Sequence, residues 1–249
     1  MLLKVINPNT TASMTATIER SARAVAGPGT RLEVVSNPMG PASIESHYDE
    51  ALSVPGLLAE IQAGERAGVA GYVVACFGDP GLDAARELAT APVLGIAQAA
   101  MHAASMLGRG FSVVTTLGRT VGRAHDLALS YGFERVCLGV HACEIPVLEL
   151  ETDPDAFATI VESCRAAMLS DGCDAIVLGC AGMADLCARI SDAVGVPVVD
   201  GVSAAVVMVE ALARMGLRGA STGEFARPPG KPYTGLLSGF ELPGDPVRF

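Results

Sequence analysis

Lysine is nearly absent from this chain. Lys4 lies near the start of the first predicted strand, and Lys231 lies in a tail rich in glycine and proline. A pyridoxal-phosphate enzyme needs a lysine held in its site to form the Schiff base. Neither position suits that role, so the sequence argues against this class of mechanism.

Positive charge as a whole is also scarce and scattered. The formal net charge is −10, and the arginines form no basic stripe and are not interleaved with aromatic residues. Nucleic-acid binding depends on clustered Lys and Arg that neutralise phosphates. We therefore expect no nucleic-acid partner.

Long hydrophobic runs are missing as well. No apolar run reaches the roughly 18 residues of a membrane span, and the first residues lack a basic segment followed by a long apolar one. The seven cysteines are odd in number and form no CxxC pair, which fits a reducing compartment better than a disulfide framework. We expect no membrane partner and a cytoplasmic location.

Nucleotide-binding loops are absent too. The chain has no GK[ST] phosphate loop, and the Gly-Pro-Gly segment at residues 27–29 follows a predicted helix rather than a strand. His141 and Cys143 have no second pair at a spacing that would complete a metal site. The sequence therefore supports no nicotinamide or nucleotide cofactor and predicts no metal.

What the chain does contain is a repeated segment that ends in a cysteine. Residues 71–80 read GYVVACFGDP, residues 174–183 read DAIVLGCAGM, and a glycine stands eight residues before each of Cys76 and Cys180. An apolar run that stops at a cysteine in this way is typical of a buried parallel strand. In open α/β sheets, ligand-binding and active sites lie at the carboxyl ends of such strands. We predict that each thiol lies at the end of its own strand, and that Gly78, Asp79 and Pro80 after Cys76 form a turn that leads into a helix.

The order of predicted elements is the same in the two halves of the chain, and short strands follow the two cysteines at nearly the same distance. This duplication predicts an α/β fold of two pseudo-symmetric lobes, each a mostly parallel sheet flanked by helices, with the active site in the cleft between them. Lobe one is predicted at residues 1–96 plus 208–249, and lobe two at residues 97–207. A helix over residues 203–215 would return the chain to lobe one.

A long loop is predicted between the second strand and the next helix. Residues 36–48 contain Pro38, Gly40 and Pro41, and loops of this length in compact domains are often functional. Ile44, His47 and Tyr48 are its candidate pocket residues. The helical pattern that follows, residues 49–64, is predicted to be interrupted at Pro55-Gly56.

Two thiols on opposite walls of one cleft suit the inversion of an acidic carbon. One thiolate removes a proton from one face, and the opposing thiol supplies a proton to the other face. A helix N-terminus next to each cysteine is expected to lower the thiol pKa from about 8.5 toward neutrality. Donors for the developing enolate are expected from backbone N–H groups at Phe77-Gly78 and Ala181-Gly182 and from the hydroxyls of Thr115-Thr116. Asn9, at the start of the first helix, is expected beside the ligand.

Four segments resemble the hydantoin racemases of the Asp/Glu racemase superfamily, and the resemblance spans residues 1 to about 217. They are VINPNT at 5–10, ACFGDPGL at 75–82, VVTT at 113–116 and IVLGCAGM at 176–183. Within that family, SIESHYDE at 43–50 and VDGVSAA at 199–205 look closest to the allantoin racemases.

The resemblance implies a cofactor-independent, two-base racemase that acts on a small molecule and is usually a homo-oligomer. It implies that Cys76 and Cys180 are the acid/base pair. The pocket it implies consists of Asn9, Ser43, Ile44, Phe77, Gly78, Thr115, Thr116, Ala181 and Gly182. Allantoin, a hydantoin with a ureido group at C5, is favoured over 5-alkyl or 5-aryl hydantoins because His47 and Tyr48 are polar and near the expected cleft.

Other functions stay open at this point. Arylmalonate decarboxylases of the same superfamily use one site thiol, and the pair Cys76 and Cys180 argues against them. Maleate isomerases keep two thiols and remain an alternative. A two-lobed protein that only binds a small molecule is the non-enzymatic alternative, and it would tolerate Cys→Ser changes at both positions.

Overall fold

The computed structural model describes residues 1–242, in which eight strands form two parallel four-stranded sheets. The strands are β1 (Leu2–Asn7), β2 (Arg31–Ser36), β3 (Gly71–Val74), β4 (Val93–Gly95), β5 (Phe111–Thr115), β6 (Cys137–Ala142), β7 (Ala175–Gly179) and β8 (Val198–Val199). The helices are α1 (Ala12–Val25), α2 (His47–Ala67), α3 (Leu82–Leu88), α4 (Ile96–Ser105), α5 (Val121–Ser130), α6 (Ala156–Asp171), α7 (Cys187–Val194) and α8 (Gly201–Arg214).

The two sheets have equivalent strand orders, β2-β1-β3-β4 and β6-β5-β7-β8. The predicted α/β fold of two lobes with parallel sheets is therefore confirmed. In each sheet the chain leaves the middle pair of strands in opposite directions, which opens a crevice at the carboxyl ends of that pair. Cys76 lies after β3 and Cys180 lies after β7, so the two cysteines occupy equivalent positions at those crevices.

The central strands of each sheet, β1, β3, β5 and β7, are buried on both faces, as their continuous apolar sequences require. In β3, Val73 faces a central core, whereas Tyr72 and Val74 face an outer core. In β7, Val177 faces the central core, and its two neighbours face a second outer core. The central core contains apolar residues of α1, α4 and α8 and joins the inner faces of the two sheets.

Helices α4 and α8 pack against each other, and each contacts strands of both sheets. The predicted return of the last helix to the first sheet is present, because α8 lies against β3 and β4. Because α4 and α8 contact both sheets, these contacts do not assign either helix to one lobe. The predicted lobe boundaries at residues 96/97 and 207/208 therefore stay a prediction. Residues 243–249 of predicted lobe one lie outside the described residues.

The predicted interruption at Pro55-Gly56 is wrong, because α2 runs without a break from His47 to Ala67. The side chain of Asn37 supports this stretch by donating from Nδ2 to the Ser53 carbonyl at 2.8 Å. A side chain at Gly56 would overlap the Asn37 amide, so the glycine is what allows this contact. The loop before α2 is correspondingly shorter than predicted, and His47 and Tyr48 lie in the first turn of the helix.

None of the helices within residues 1–242 is both long enough and apolar enough to cross a membrane.

Candidate active site

A cavity of about 170 Å³ lies where the carboxyl edges of the two sheets meet, and both Cys76 and Cys180 line it. Each cysteine is half-buried and neither forms a disulfide. Ionisation of Cys180 would raise the pKa of Cys76 further. One thiol is delivered by the first sheet and the other by the second, so a ligand in this cavity would lie between them.

Most of the predicted site residues line this cavity together. Those that do are Asn9, Ile44, His47, Cys76, Phe77, Gly78, Thr115, Thr116, Cys180 and Ala181. His47 lies at the mouth, since 87% of its side chain is exposed. The cavity thus combines residues that follow β1 and β3 of one sheet with residues that follow β5 and β7 of the other.

Three of the singled-out residues lie outside the lining. Ser43 is half-buried in the loop before α2. Gly182 faces the Leu150 side chain, and its backbone N–H acts to lower the pKa of Cys180. Tyr48 is 74% exposed and is not among the residues that line the cavity. Tyr48 therefore gives no support for a ureido group on the ligand.

The paired threonines have different surroundings. The Thr115 hydroxyl is engaged within the protein, 3.0 Å from the Thr120 hydroxyl and donating to the Gly179 carbonyl at 3.2 Å. The Thr116 hydroxyl has no protein partner among residues 1–242 and lines the cavity. Thr116 is therefore the better donor for a ligand oxygen, and Thr115 holds β5 to β7.

Asn9 is buried, and its side-chain carbonyl oxygen already accepts two hydrogen bonds within the protein. Asn9 Oδ1 accepts from Asn7 Nδ2 at 2.8 Å and from the Thr11 backbone at 2.9 Å. The amide nitrogen lies 3.0 Å from the Met14 sulfur, another cavity residue. Asn9 thus presents its NH₂ group to the cavity, and the carbonyl orders the start of α1.

Both thiols have raised pKa values, in contrast to the prediction. Burial raises the pKa of Cys76 to about 12, and the charges of Cys180, Asp79 and Glu50 act in the same direction. Burial likewise raises the pKa of Cys180 to about 12, with Cys143 and Glu45 adding to it. The backbone N–H groups of the glycines two residues on oppose these effects without outweighing them.

The α-helices after the two cysteines begin farther from the thiols than predicted, which explains part of this difference. A turn separates Cys76 from α3, which begins only at Leu82. A 3₁₀-helix over Ala181–Leu186 separates Cys180 from α7. The α-helical N-termini that were predicted next to the two cysteines are therefore displaced, and the effect of a helix terminus falls off within one turn.

Four charged residues that the sequence pattern did not indicate also line the cavity. They are Glu45, Glu50, Arg119 and Arg123. Arg119 and Arg123 are four residues apart just after the Thr115-Thr116 pair, and this helical spacing was the available signal. Glu45 joins the two halves of the site, because its carboxylate accepts the Val147 backbone N–H at 2.6 Å.

Asp79 was interpreted only as a turn residue, yet its carboxylate is 3% exposed and fully engaged. It accepts the backbone N–H groups of Ala97 and Gln98 at 3.0 Å and the Tyr131 hydroxyl at 2.7 Å. Burial raises its pKa to about 6, against these hydrogen bonds. Asp79 thus ties the turn after Cys76 to the start of α4 and the end of α5.

Comparison with known proteins agrees with this geometry. A family model described as Asp/Glu/Hydantoin racemase matches residues 3–209. The chain is 52% identical over 230 residues to a hydantoin racemase from Rhizobium meliloti, covering 92% of this chain and 95% of that protein. It is 44% identical over 241 residues to a hydantoin racemase from Pseudomonas sp. (strain NS671), covering 96% and 97%.

Among solved structures, an allantoin racemase from Klebsiella pneumoniae superposes with a TM-score of 0.94 at 49% identity, covering 97% of this chain and 99% of that one. A match of this extent includes both sheets and the cavity between them. The chain belongs to the Asp/Glu/hydantoin racemase family.

Proposed function

We propose that this protein inverts C5 of a hydantoin ring, with Cys76 and Cys180 as its two bases and allantoin as its substrate. The observation that carries the proposal is one cavity lined by a thiol from each of two equivalent strands. Membership of a racemase family supplies the class of reaction, and the positions of the thiols supply the candidate acid/base groups.

The proton balance of the reaction needs one thiolate and one thiol. The thiolate takes the C5 proton, and the electron pair of the C5–H bond passes into the neighbouring carbonyl to give a planar enolate. The opposing thiol then protonates C5 on the other face and becomes a thiolate. Each turnover leaves the pair with the opposite protonation, ready for the other enantiomer.

The raised pKa of the two thiols has two opposite consequences for this chemistry. A thiolate is scarce at neutral pH when the pKa is about 12. Each thiolate that forms is, however, a stronger base than one of ordinary pKa, and is therefore better matched to a weakly acidic carbon. The Thr116 hydroxyl is the proposed donor to the enolate oxygen, where a single well-placed donor is worth roughly 3–4 kcal/mol.

The charged lining favours a polar substituent on the ring. A ureido group carries N–H donors and a carbonyl acceptor, and the cavity offers carboxylates at Glu45 and Glu50 and guanidinium groups at Arg119 and Arg123. A site built to hydrogen-bond a substituent discriminates strongly against analogues that lack it. A 5-alkyl or 5-aryl hydantoin is the second candidate, because two hydantoin racemases are similar to this chain over nearly its whole length.

The substrate is tested by following the loss of optical rotation of (R)- and (S)-allantoin and of the enantiomers of 5-benzylhydantoin with the purified protein. We expect faster turnover of allantoin. Faster turnover of the benzyl compound would reverse the order of the two candidates. Turnover of maleate, followed by its absorbance, together with none of any hydantoin would overturn the proposal.

We further propose that the protein is a cytoplasmic homo-oligomer that needs no cofactor. Family resemblance supports the oligomer, and the odd number of unpaired cysteines supports the reducing compartment. Light scattering on the purified protein tests the first point, and full activity after dialysis against a chelator tests the last.

A further inference from the structure

The side chain of Arg123 reaches from α5 to the turn that follows Cys76. Its Nε and Nη2 atoms donate to the carbonyl of Gly78 at 3.1 and 2.8 Å. Its Nη2 atom also lies 2.9 Å from Glu50 Oε1 on α2. The guanidinium is thereby held on two sides, and one residue of the second half of the chain is fixed on the backbone next to a thiol of the first half.

Gly78 lies in the turn that follows Cys76, which is closed by a hydrogen bond from the Asp79 backbone N–H to the Cys76 carbonyl at 2.9 Å. The Gly78 backbone N–H acts to lower the pKa of Cys76 and so favours its thiolate. A glycine has unusual freedom in both backbone dihedrals, so the position of this turn depends on outside restraints. The two hydrogen bonds from Arg123 to the Gly78 carbonyl supply such a restraint. A planar guanidinium can make both bonds at once, which a lysine cannot.

We propose that Arg123 is the positioning residue for Cys76: it braces the turn from Cys76 to Asp79 so that the sulfur is held ready for proton transfer to and from C5 of a ligand in the cavity. The inference rests on the proposed racemase function. Arg123 acts on one of the two thiols, so its loss should affect the proton transfers of the two faces unequally.

The chain offers a matched control on the other side of the cleft. Arg20 of α1 pairs with Asp185 at 3.1 Å, in the 3₁₀-helix that follows Cys180. This pair also joins the two halves, but it is exposed and contacts a side chain rather than the backbone at the thiol. Arg20→Ala therefore removes a cross-half ion pair and leaves both sulfurs positioned.

The test compares exchange with inversion. Each enantiomer of allantoin is incubated in D₂O with the wild-type protein, Arg123→Ala, Arg123→Lys or Arg20→Ala, and the loss of the C5 proton signal and of optical rotation are both followed. Cys76→Ser and Cys180→Ser, measured alongside, identify which enantiomer each thiol deprotonates. Enzyme-free rates are subtracted.

In Arg123→Ala, the enantiomer that Cys180 deprotonates should lose its C5 proton without inverting, because the return of a proton from Cys76 is slowed. Its ratio of exchange to inversion should rise at least about tenfold, the effect of one hydrogen bond to a charged group. For the other enantiomer the slowed step is the return of the proton from Cys76 to the same face, so its ratio should fall or stay near one and should not rise. Arg123→Lys should fall between wild type and Arg123→Ala, and Arg20→Ala should match wild type.

If Arg123 only bound the substrate, its loss would raise KM for both enantiomers and leave both ratios unchanged, which would overturn the proposal. Equal changes in Arg20→Ala would overturn it as well. A second readout does not depend on the substrate: labelling by iodoacetamide, mapped to each cysteine by mass spectrometry. Labelling of Cys76 relative to Cys180 should fall about tenfold in Arg123→Ala, and an unchanged ratio contradicts the inference.

If wild type neither exchanges nor inverts any hydantoin, the proposed function fails, and the labelling ratio still decides whether Arg123 controls Cys76. Thermal melts of every variant separate these effects from unfolding.

Discussion

Raising the pH should raise the kcat/KM of this racemase steeply. Burial holds the pKa of both Cys76 and Cys180 at about 12, so the thiol form dominates at neutral pH. As long as the pH is below the pKa, each increase of one pH unit raises the fraction of thiolate tenfold. The kcat/KM reports the free enzyme, and it should therefore rise about a hundredfold between pH 7 and pH 9.

The assay follows initial loss of circular dichroism of one allantoin enantiomer at concentrations well below KM, with the enzyme-free rate subtracted at each pH. A wild-type profile that is flat from pH 7 to pH 9, or that falls, would refute the reasoning.

Three further outcomes are expected. Thr116→Val should lower kcat/KM about 100- to 1,000-fold without changing the stability of the fold. Thr115→Val should destabilise the fold by about 1 kcal/mol, and urea unfolding of both variants checks the two stabilities. Gly56→Ala should displace the Asn37 amide from α2 and cost about 1–3 kcal/mol in the same assay. The fully buried Cys164 has a pKa raised from 9.0 to about 12. The folded state favours the protonated thiol, so the contribution of Cys164 to the free energy of unfolding is complete at a pH below the pKa of the unfolded state. As the pH rises from that pKa toward the folded-state pKa, this contribution is lost by about 1.4 kcal/mol per pH unit. Urea unfolding at pH 8 and pH 10 should therefore show lower stability at pH 10, and Cys164→Ala should reduce that difference.

The parts of the fold that follow from local pattern were predictable. The two apolar runs that stop at Cys76 and Cys180 indicated the two central strands, because an uninterrupted β-rich run that stops at such a residue is typical of a buried parallel strand. The recurrence of that pattern implied equivalent sheets. One cleft with a thiol on each wall was the natural consequence, and both cysteines line a single cavity.

The parts that depend on contacts distant in sequence were not predictable. Pro55 and Gly56 looked like a break, and α2 continues because Asn37 from the preceding loop packs against the glycine. Asp79 looked like a turn residue, and its three donors come from α4 and from Tyr131. No local pattern identifies such partners.

The thiol environment shows the same limit. Adjacent helix starts suggested lowered pKa values, but the balance is decided by burial and by nearby acidic groups brought in by the fold. The charged residues of the cavity were missed for a related reason. Glu45 and Arg123 lie on surface-like stretches of sequence, and only the closing of one half onto the other places them at the site.

The most direct test of the account is proton NMR of each allantoin enantiomer in D₂O with wild type, Cys76→Ser and Cys180→Ser, with optical rotation measured in parallel. The account predicts that wild type loses the C5 proton signal and the rotation of both enantiomers. Each serine variant should lose racemisation and still exchange the C5 proton of one enantiomer, a different one for each variant. Full racemisation by either variant, or exchange of the same enantiomer by both, would contradict a site in which two thiols serve opposite faces of one carbon.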